Sequence, residues 1–495
     1  MLKSAASCPT APTSRMGINV RCQGSDHLQQ LRDLFDLQRR AFQDDPCPSY
    51  ETRLDRLNRL LAMTDENEDR FIEVIDADFQ GRSAHETRLA ELFVVRSGVQ
   101  GAKRNLRAWM KERKIPTGVQ FLPGHNRLMR QPLGIIGVIS PWNYPLQLAL
   151  CPTLSALAAG NRVMIKPSEL TPRFNALLSQ LINQYFHPDE LSIIEGGAEI
   201  GAAFSRLHFD HLLFTGSTAV GRIVATAAAQ NLTPVTLELG GKSPAIIDAS
   251  ADLATAANRI AYGKWLNAGQ TCVAPDYLLV PVGQSQAVAD HLAAAVHSLY
   301  PTVLNNPDYT AIISDRHRKR LQDMIDEARD SGATIMPLHP ENETFTSSSH
   351  KIPPTVILHP RAGSRILQEE IFGPVLPILE YATLDEAIAH VNHGDRPLAL
   401  YWFGQNTYAR DRVLHETISG GVTVNDCLWH LAQENQPFGG VGASGMGAYH
   451  GEWGFRTFSK EKPVFHQSSL SGSWLLYPPY GRTFDSLLTV LKRIV

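Results

Sequence analysis

The chain has 495 residues, 43% hydrophobic and 19% charged, with a formal net charge of −3. That composition is ordinary for a globular protein with room for two or three domains, and a near-neutral balance without a basic run excludes nucleic acid as a main partner. No apolar run reaches the roughly 18 residues needed to cross a bilayer, and six scattered cysteines without a C-x-x-C pair point to a reducing cytoplasm with no metal site.

Residues 1–26, rich in Ser, Thr, Ala and Pro and lacking an apolar h-region, are expected to form a disordered lead-in. Over 27–114, apolar residues recur at helical spacing (Leu28, Leu31, Leu34, Phe35, then Leu54, Leu57, Leu60, Leu61, then Leu89, Leu92, Phe93). These helices should pack on a sheet formed later. Pro116, Gly118, Pro123 and Gly124 break up 115–132, which predicts a projecting hairpin or domain crossing and an oligomer contact. Apolar runs at 135–139, 162–166, 191–195 and 211–215 then alternate with helices at 147–159 and 174–185. This is the pattern of a parallel doubly wound sheet, whose ligands bind at the carboxyl ends of the strands. The loops at those ends are 141–144, 166–169 and 214–218.

A second alternation follows, with strands at 243–247, 277–281, 355–358 and 378–381 and helices at 253–265, 285–298 and 315–331, so a second α/β domain is expected. Residues 341–349 read as a polar surface loop. A last strand over 455–465 is expected to pair with the earlier hairpin. In the tail, Phe484, Leu487, Leu488 and Leu491 with Lys492 and Arg493 predict a short amphipathic helix. It is too short to span a bilayer and is expected to dock on the protein surface or a partner subunit rather than on a membrane.

Four features carry chemistry. Phe214-Thr-Gly216-Ser217-Thr-Ala-Val-Gly221 is a strand, a glycine turn and a helix start; it is either a phosphate loop, using free N–H groups and the helix dipole, or a plain turn. The literal G-x-G-x-x-G at Gly440–Gly445 lacks a preceding strand and following helix, and reads as a decoy. Glu238, among apolar residues beside Leu239, Gly240 and Gly241, is either a crossover salt-bridge partner or a general base with a raised pKa. Cys272 is a lone thiol, by itself a small core residue more often than a nucleophile; Asn143 is a turn asparagine or, with the Cys272 N–H, an oxyanion donor.

Taken together, Pro141-Trp142-Asn143-Tyr144-Pro145, Lys166-Pro-Ser168-Glu169, Phe214-Thr-Gly216-Ser217, Glu238-Leu-Gly-Gly-Lys242, Gly269-Gln-Thr-Cys272, Glu369-Glu370-Ile-Phe372-Gly-Pro and Pro437-Phe438-Gly-Gly resemble, in order, the NAD(P)-dependent aldehyde dehydrogenases. Gln270–Tyr277 and 442–451 resemble the class 3 branch, and within it the bacterial coniferyl aldehyde dehydrogenases.

The resemblance implies an α/β fold with a variant Rossmann cofactor domain (27–114 and 133–237), a catalytic domain (238–430), a bridging β element (115–132 and 451–470) and a tail (471–495). It implies that Cys272 attacks an aldehyde, that Asn143 holds the oxyanion and that Glu238 activates the hydrolytic water. Cofactor contacts are implied for Trp142, Lys166, Ser168, Glu169, Gly216, Ser217, Gly221, Leu239, Gly240, Glu370 and Phe372. Glu169 on the ribose hydroxyls favours NAD over NADP, although class 3 relatives often accept both. Tyr144, Leu148, Thr271, Val273 and Phe438 are expected to line an apolar tunnel for aromatic or medium-chain aldehydes such as coniferaldehyde. Cys151, one turn past Leu148, is expected to leave that tunnel roomier. A cytoplasmic homodimer is the implied assembly. Two alternatives remain at this point: an acylating relative that passes the thioester to coenzyme A, and a non-catalytic binding protein on the same fold.

Overall fold

The computed structural model describes residues 24–340, 343–346 and 349–494. Residues 1–23 of the expected lead-in, and positions 341, 342, 347 and 348 of the expected loop, lie outside the described residues. Helix Gly24–Asp44 begins inside the span read as lead-in.

The first sheet has the spatial order Gly445–Met446, Val235–Glu238, His211–Thr215, Ile135–Ile139, Arg162–Lys166, Leu191–Ile193. It is parallel except for the two-residue edge strand Gly445–Met446. Ile135–Ile139 lies in the middle. The chain winds outward from it through Arg162–Lys166 and Leu191–Ile193, then returns to its other side at His211–Thr215, so the strand order reverses there and a crevice opens at the carboxyl ends.

Alternate residues of these strands feed two cores. Ile136, Val138, Val163, Ile165 and Leu213 face a cluster with helices Tyr50–Asp65, Phe93–Met110, Pro145–Ala159 and Pro172–Tyr185. Ile135, Ile139, Met164, Leu212 and Phe214 face the other side, where Leu31, Phe35, Phe204 and Val224 pack. A strand buried on both faces reads as an unbroken apolar run, which is why these strands stood out in the sequence.

The second sheet has the order Thr334–Pro337, Thr355–Leu358, Val375–Tyr381, Tyr277–Pro281, Pro244–Ile247, Ala399–Phe403, Gly421–Val424, antiparallel only at Thr334–Pro337. Strands Ala399–Phe403 and Gly421–Val424, with helices Leu384–His393 and Thr407–Glu416, extend this unit beyond the expected elements. A third, antiparallel sheet joins Arg113–Ile115, His125–Pro132 and Ser459–His466.

The single strand expected over 455–465 is corrected to two elements, helix Gly451–Thr457 and strand Ser459–His466. Phe455 and Phe458 are buried, and the Phe455 ring lies 5.5 Å from Trp109; that packing is satisfied by a helical turn against Phe93–Met110 before extension begins. The tail forms helix Arg482–Ile494. Its Phe484 ring meets Tyr480 at 4.9 Å, and the helix packs on the turn Ser473–Leu476. Among the described residues no helix is long and apolar enough to cross a membrane.

Asn161 ties these units together. Fully buried, its Oδ1 accepts the N–H groups of Leu133 and Gly134 at 2.8 and 2.9 Å, and its Nδ2 donates to the carbonyls of Ala156 and Phe458 at 3.0 and 2.8 Å. Asn161→Ala orphans several of these groups and is expected to destabilise the fold by about 2–4 kcal/mol. Denaturant unfolding measures this, and a loss below about 1 kcal/mol would contradict the assigned role.

Candidate active site

Cys272 lies where two cavities meet: it lines one of about 270 Å³ at the carboxyl ends of the first sheet, and one of about 160 Å³ with largely apolar walls. The loop that presents it leaves helix Leu253–Trp265 through a tight left-handed turn. Asn267 and Ala268 both have φ of +52°, and Gly269 has φ of +72°. A Cβ at Gly269 would stand 2.3 Å from the carbonyl of Gly373, so only glycine fits. Buried Gln270 fastens the turn, donating to the carbonyls of Asn267 and Ala311 at 3.0 Å and accepting the Ile313 N–H at 3.0 Å.

The Asn143 loop is bound directly to this turn. The Asn143 Nδ2 donates to the Gln270 carbonyl at 3.1 Å, and the Asn267 Nδ2 donates to the Asn143 carbonyl at 3.0 Å. Beside them the hydroxyls of Tyr144 and Thr271 meet at 2.7 Å. The backbone N–H groups of Cys272 and Val273 act on the Cys272 sulfur in the direction that favours its ionised form.

Glu238 ends strand Val235–Glu238. Its carbonyl accepts the Gly216 N–H at 3.0 Å, and the next residue, Leu239, donates its N–H to Ser444 at 3.0 Å. The residue is 2% exposed and, among the described residues, neither carboxyl oxygen has a hydrogen-bond partner. An unpartnered buried carboxyl is costly, and its ordinary complement is a water molecule or a reacting group.

Burial dominates the electrostatics. It raises the Glu238 carboxyl well above its usual range. Burial first, then the nearby Glu370 and Glu238 carboxylates, push the Cys272 thiol up to about 12. Glu370 is pushed to about 8 by burial and then by Asp276. Each of these shifts favours the protonated form of its group over the charged one.

The larger cavity collects Trp142, Asn143, Gly216, Ser217, Glu238, Leu239, Gly240, Glu370 and Phe372 of the expected set. A Cβ at Gly240 would stand 2.2 Å from the Glu370 carboxyl oxygens, so the carboxyl occupies the space a side chain would fill. Trp142 forms an aromatic wall with Phe372 at 5.4 Å and His317 at 5.0 Å. A groove of about 730 Å³ continues from Ser217 and Glu370 past Arg222, Lys242 and His390. Ser217 caps helix Thr218–Ala229, accepting the Val220 N–H at 3.4 Å, so helix-terminal N–H groups face the groove in the manner that suits a phosphate. A helix N-terminus, carboxylates and an aromatic wall along one groove could hold a nicotinamide dinucleotide.

Four expected cofactor residues do not line these cavities. Lys166 pairs with Glu169 at 3.4 Å at the end of the neighbouring strand, and the Ser168 hydroxyl is engaged by the Leu170 N–H at 3.2 Å. Gly221 is buried against Leu239, whose methyl would stand 2.6 Å from an added Cβ; it permits helix–strand packing. Thr215, in the strand-end loop 214–218, also lines the wall, whereas sequence reasoning missed His317 and Arg320 there. His317 and Arg320 sit on helix Asp315–Asp330 of the second unit, which looks like an ordinary charged helix in sequence. The decoy Gly440–Gly445 is a turn whose last residue pairs with Glu238.

All five expected substrate residues, Tyr144, Leu148, Thr271, Val273 and Phe438, line the smaller cavity. Leu89, Phe93, Trp429 and Tyr449 add apolar and aromatic wall, with Glu434 and His450 as polar groups. Cys151 does not line it; it is buried in the core, so the expectation that it widens the tunnel is corrected. Among the described residues no group of three His, Cys, Asp or Glu side chains is placed to hold a metal.

The model of the aldehyde dehydrogenase family matches residues 29–464. The probable coniferyl aldehyde dehydrogenase of Pseudomonas aeruginosa is 48% identical, covering 94% of this chain and 97% of that protein. The coniferyl aldehyde dehydrogenase of a Pseudomonas species is 44% identical over 97% of this chain and 99% of that one. The substrate-bound structure of Staphylococcus aureus AldH superimposes with a TM-score of 0.88 at 37% identity, covering 93% of this chain and 99% of that one. The chain belongs to the aldehyde dehydrogenase family and is an enzyme that oxidises an aldehyde with a nicotinamide cofactor.

Proposed function

We propose that Cys272 is the nucleophile, Asn143 and the Cys272 N–H the oxyanion donors, and Glu238 the base, acting on an aromatic aldehyde such as coniferaldehyde with NAD as the preferred cofactor. The observation that carries this reading is the sharing of one thiol by two cavities of different character. The Cys272 thiol loses its proton to solvent, its sulfur bonds to the aldehyde carbon, and the oxygen that takes up the carbonyl electron pair is met by the Asn143 Nδ2–H and the Cys272 N–H. When bound, the nicotinamide cofactor supplies the hydride acceptor. The thioester left on Cys272 is then hydrolysed: Glu238 in its ionised form takes a proton from water, the hydroxyl attacks the acyl carbon, and the carbon–sulfur bond breaks to release the acid and the Cys272 thiolate, which takes the proton back from Glu238. A free carboxyl beside the thiol favours hydrolysis over transfer to coenzyme A.

The aromatic walls of the smaller cavity and the names of the Pseudomonas relatives support an aromatic substrate. Exposed Phe121, Leu122 and Phe465 beside the third sheet support a homodimer contact there, and a cytoplasmic location suits an enzyme that depends on a reduced thiol.

Four outcomes follow. Glu238→Gln is expected to retain a burst of NADH while steady turnover falls about 10²–10⁴-fold; stopped-flow absorbance at the NADH band reads both, and loss of the burst would break the assignment. kcat/KM for coniferaldehyde should exceed that for hexanal by about tenfold or more, and equal turnover of hexanal would count against the aromatic reading. NAD should surpass NADP in kcat/KM, since Glu169 repels a 2′-phosphate; the reverse order would sink that preference. Because burial and neighbouring carboxylates raise the Cys272 pKa, its thiolate fraction rises with pH throughout the range below about 12. Alkylation of the cofactor-free enzyme by iodoacetamide should thus climb about tenfold per pH unit to at least about pH 9.5, and a plateau near pH 8.5 would refute it.

A further inference from the structure

The segment from Arg82 to Leu92 buries three charges between the two loops of the active site, and nothing in the family comparison assigns it a role. Ser83 caps the short helix Ala84–Thr87, which runs into a π-turn over Arg88–Leu92; such turns are rare and recur at functional sites. Arg82, Glu86 and Glu91 on its inner side are 3%, 8% and 0% exposed, although charged residues are almost never buried without partners.

The partners are the catalytic loops. The Arg82 Nη1 donates to the Asn143 carbonyl at 2.6 Å, and its guanidinium lies over the rings of Phe79 and Tyr144 at 4.7 and 4.9 Å. Its Nη2 pairs with Glu91 at 3.3 Å. Glu91 in turn accepts the N–H groups of Leu146 and Gln147 at 2.7 and 3.3 Å, at the start of the helix that follows Asn143. Glu86 accepts the Asn267 N–H at 3.1 Å and the Thr310 hydroxyl at 2.7 Å, which fixes the turn leading to Cys272.

We infer that Arg82, Glu86 and Glu91 are positioning residues that hold the Asn143 amide in register with the Cys272 loop, so that the two oxyanion donors converge on one point. This rests on the catalytic reading of Cys272 and Asn143 given above. A purely structural role would be met as well by apolar side chains, because a buried ion pair adds little net stability over packed hydrophobic residues. Here, by contrast, the hydrogen bonds go to the residues that carry the chemistry. Asn143's carbonyl accepts from both Arg82 and Asn267, which leaves its peptide plane no freedom to turn. The same segment presents Leu89 to the aldehyde cavity, next to Phe93 at the start of the following helix, so the element that aligns the donors also touches the substrate's space.

The test uses the full chain with NAD and an aldehyde. Arg82→Met alone would strand the Glu91 charge, so the main variant is Arg82→Met with Glu91→Gln, and Arg82→Lys, which keeps a donor, is the conservative partner. In the double variant kcat is expected to fall about 30-fold or more, while KM for NAD and the rate of Cys272 alkylation by iodoacetamide stay within about twofold. Alkylation at a saturated carbon develops no oxyanion, so misplaced donors do not slow it, whereas a loosened fold or loop would change it. Arg82→Lys should recover part of the turnover. A kcat within about threefold of the parent in both variants, or alkylation and turnover falling by the same factor, overturns the inference. Asn143→Ala separates the two readings: if it too turns over normally, the oxyanion assignment itself fails; if it is inactive while the Arg82 variants are not, only the clamp fails.

Discussion

Negative charge has to be created inside this site where there is no bulk water to solvate it, and most of the architecture follows from that constraint. Burial disfavours the ionised forms of both Cys272 and Glu238, and the Glu370 and Glu238 carboxylates raise the thiol pKa further. A thiol in water would ionise more readily, but it would also be open to oxidation along the whole ladder from sulfenic acid onward. The donors proposed for the developing oxyanion are fixed in advance, as the backbone N–H of Cys272 and the amide of Asn143, tied to the Gln270 carbonyl. In a low dielectric such prearranged dipoles act more strongly than the mobile dipoles of water and need no reorganisation at the moment of reaction.

The proposed base and nucleophile come from different sheets. Glu238 ends a strand of the first sheet, whereas Cys272 lies on the connection between Pro244–Ile247 and Tyr277–Pro281 of the second. The crossing between the sheets is only Leu239-Gly240-Gly241-Lys242-Ser243. Gly241 adopts φ of +147°, a conformation that costs other residues dearly. Lys242 then anchors to Asp276 and to the carbonyls of Ile366 and Glu369 at 2.9 and 3.0 Å. A crossing this short and this well anchored fixes Glu238 against the second sheet by the fold itself rather than by a flexible loop. It also places Glu370, on the segment that Lys242 holds, against Gly240.

What was legible in the sequence was what depends on local pattern. Strands buried on both faces, such as Ile135–Ile139 and His211–Thr215, read as continuous apolar runs, and the loops at their ends could be named with their residues. What stayed hidden depends on distant partners. Arg82, Glu86 and Glu91 carry charges at a spacing that reads as a solvated helical face. Their burial comes from Asn143, Leu146, Asn267 and Thr310, lying 55 or more positions away in sequence. Likewise, Lys166 and Glu169 were legible as a motif, but their mutual ion pair at the strand end is a matter of side-chain conformation that spacing does not encode.

The glycine motif at Gly440–Gly445 shows why such ambiguity is physical. Glycine permits a close approach of backbone to anything, a phosphate or another strand, and the two uses leave the same letters. Here an added Cβ at Gly440 would stand 2.1 Å from the Ser444 carbonyl, and one at Gly445 would stand 2.2 Å from that of Leu237. The turn thus folds on itself and lies flush against the edge of the first sheet, with Gly445 directly opposite Glu238. Without these glycines the turn could not seat there, and that edge of the sheet would be open beside the carboxyl. The turn packed at this edge therefore contributes to the burial that raises the Glu238 pKa.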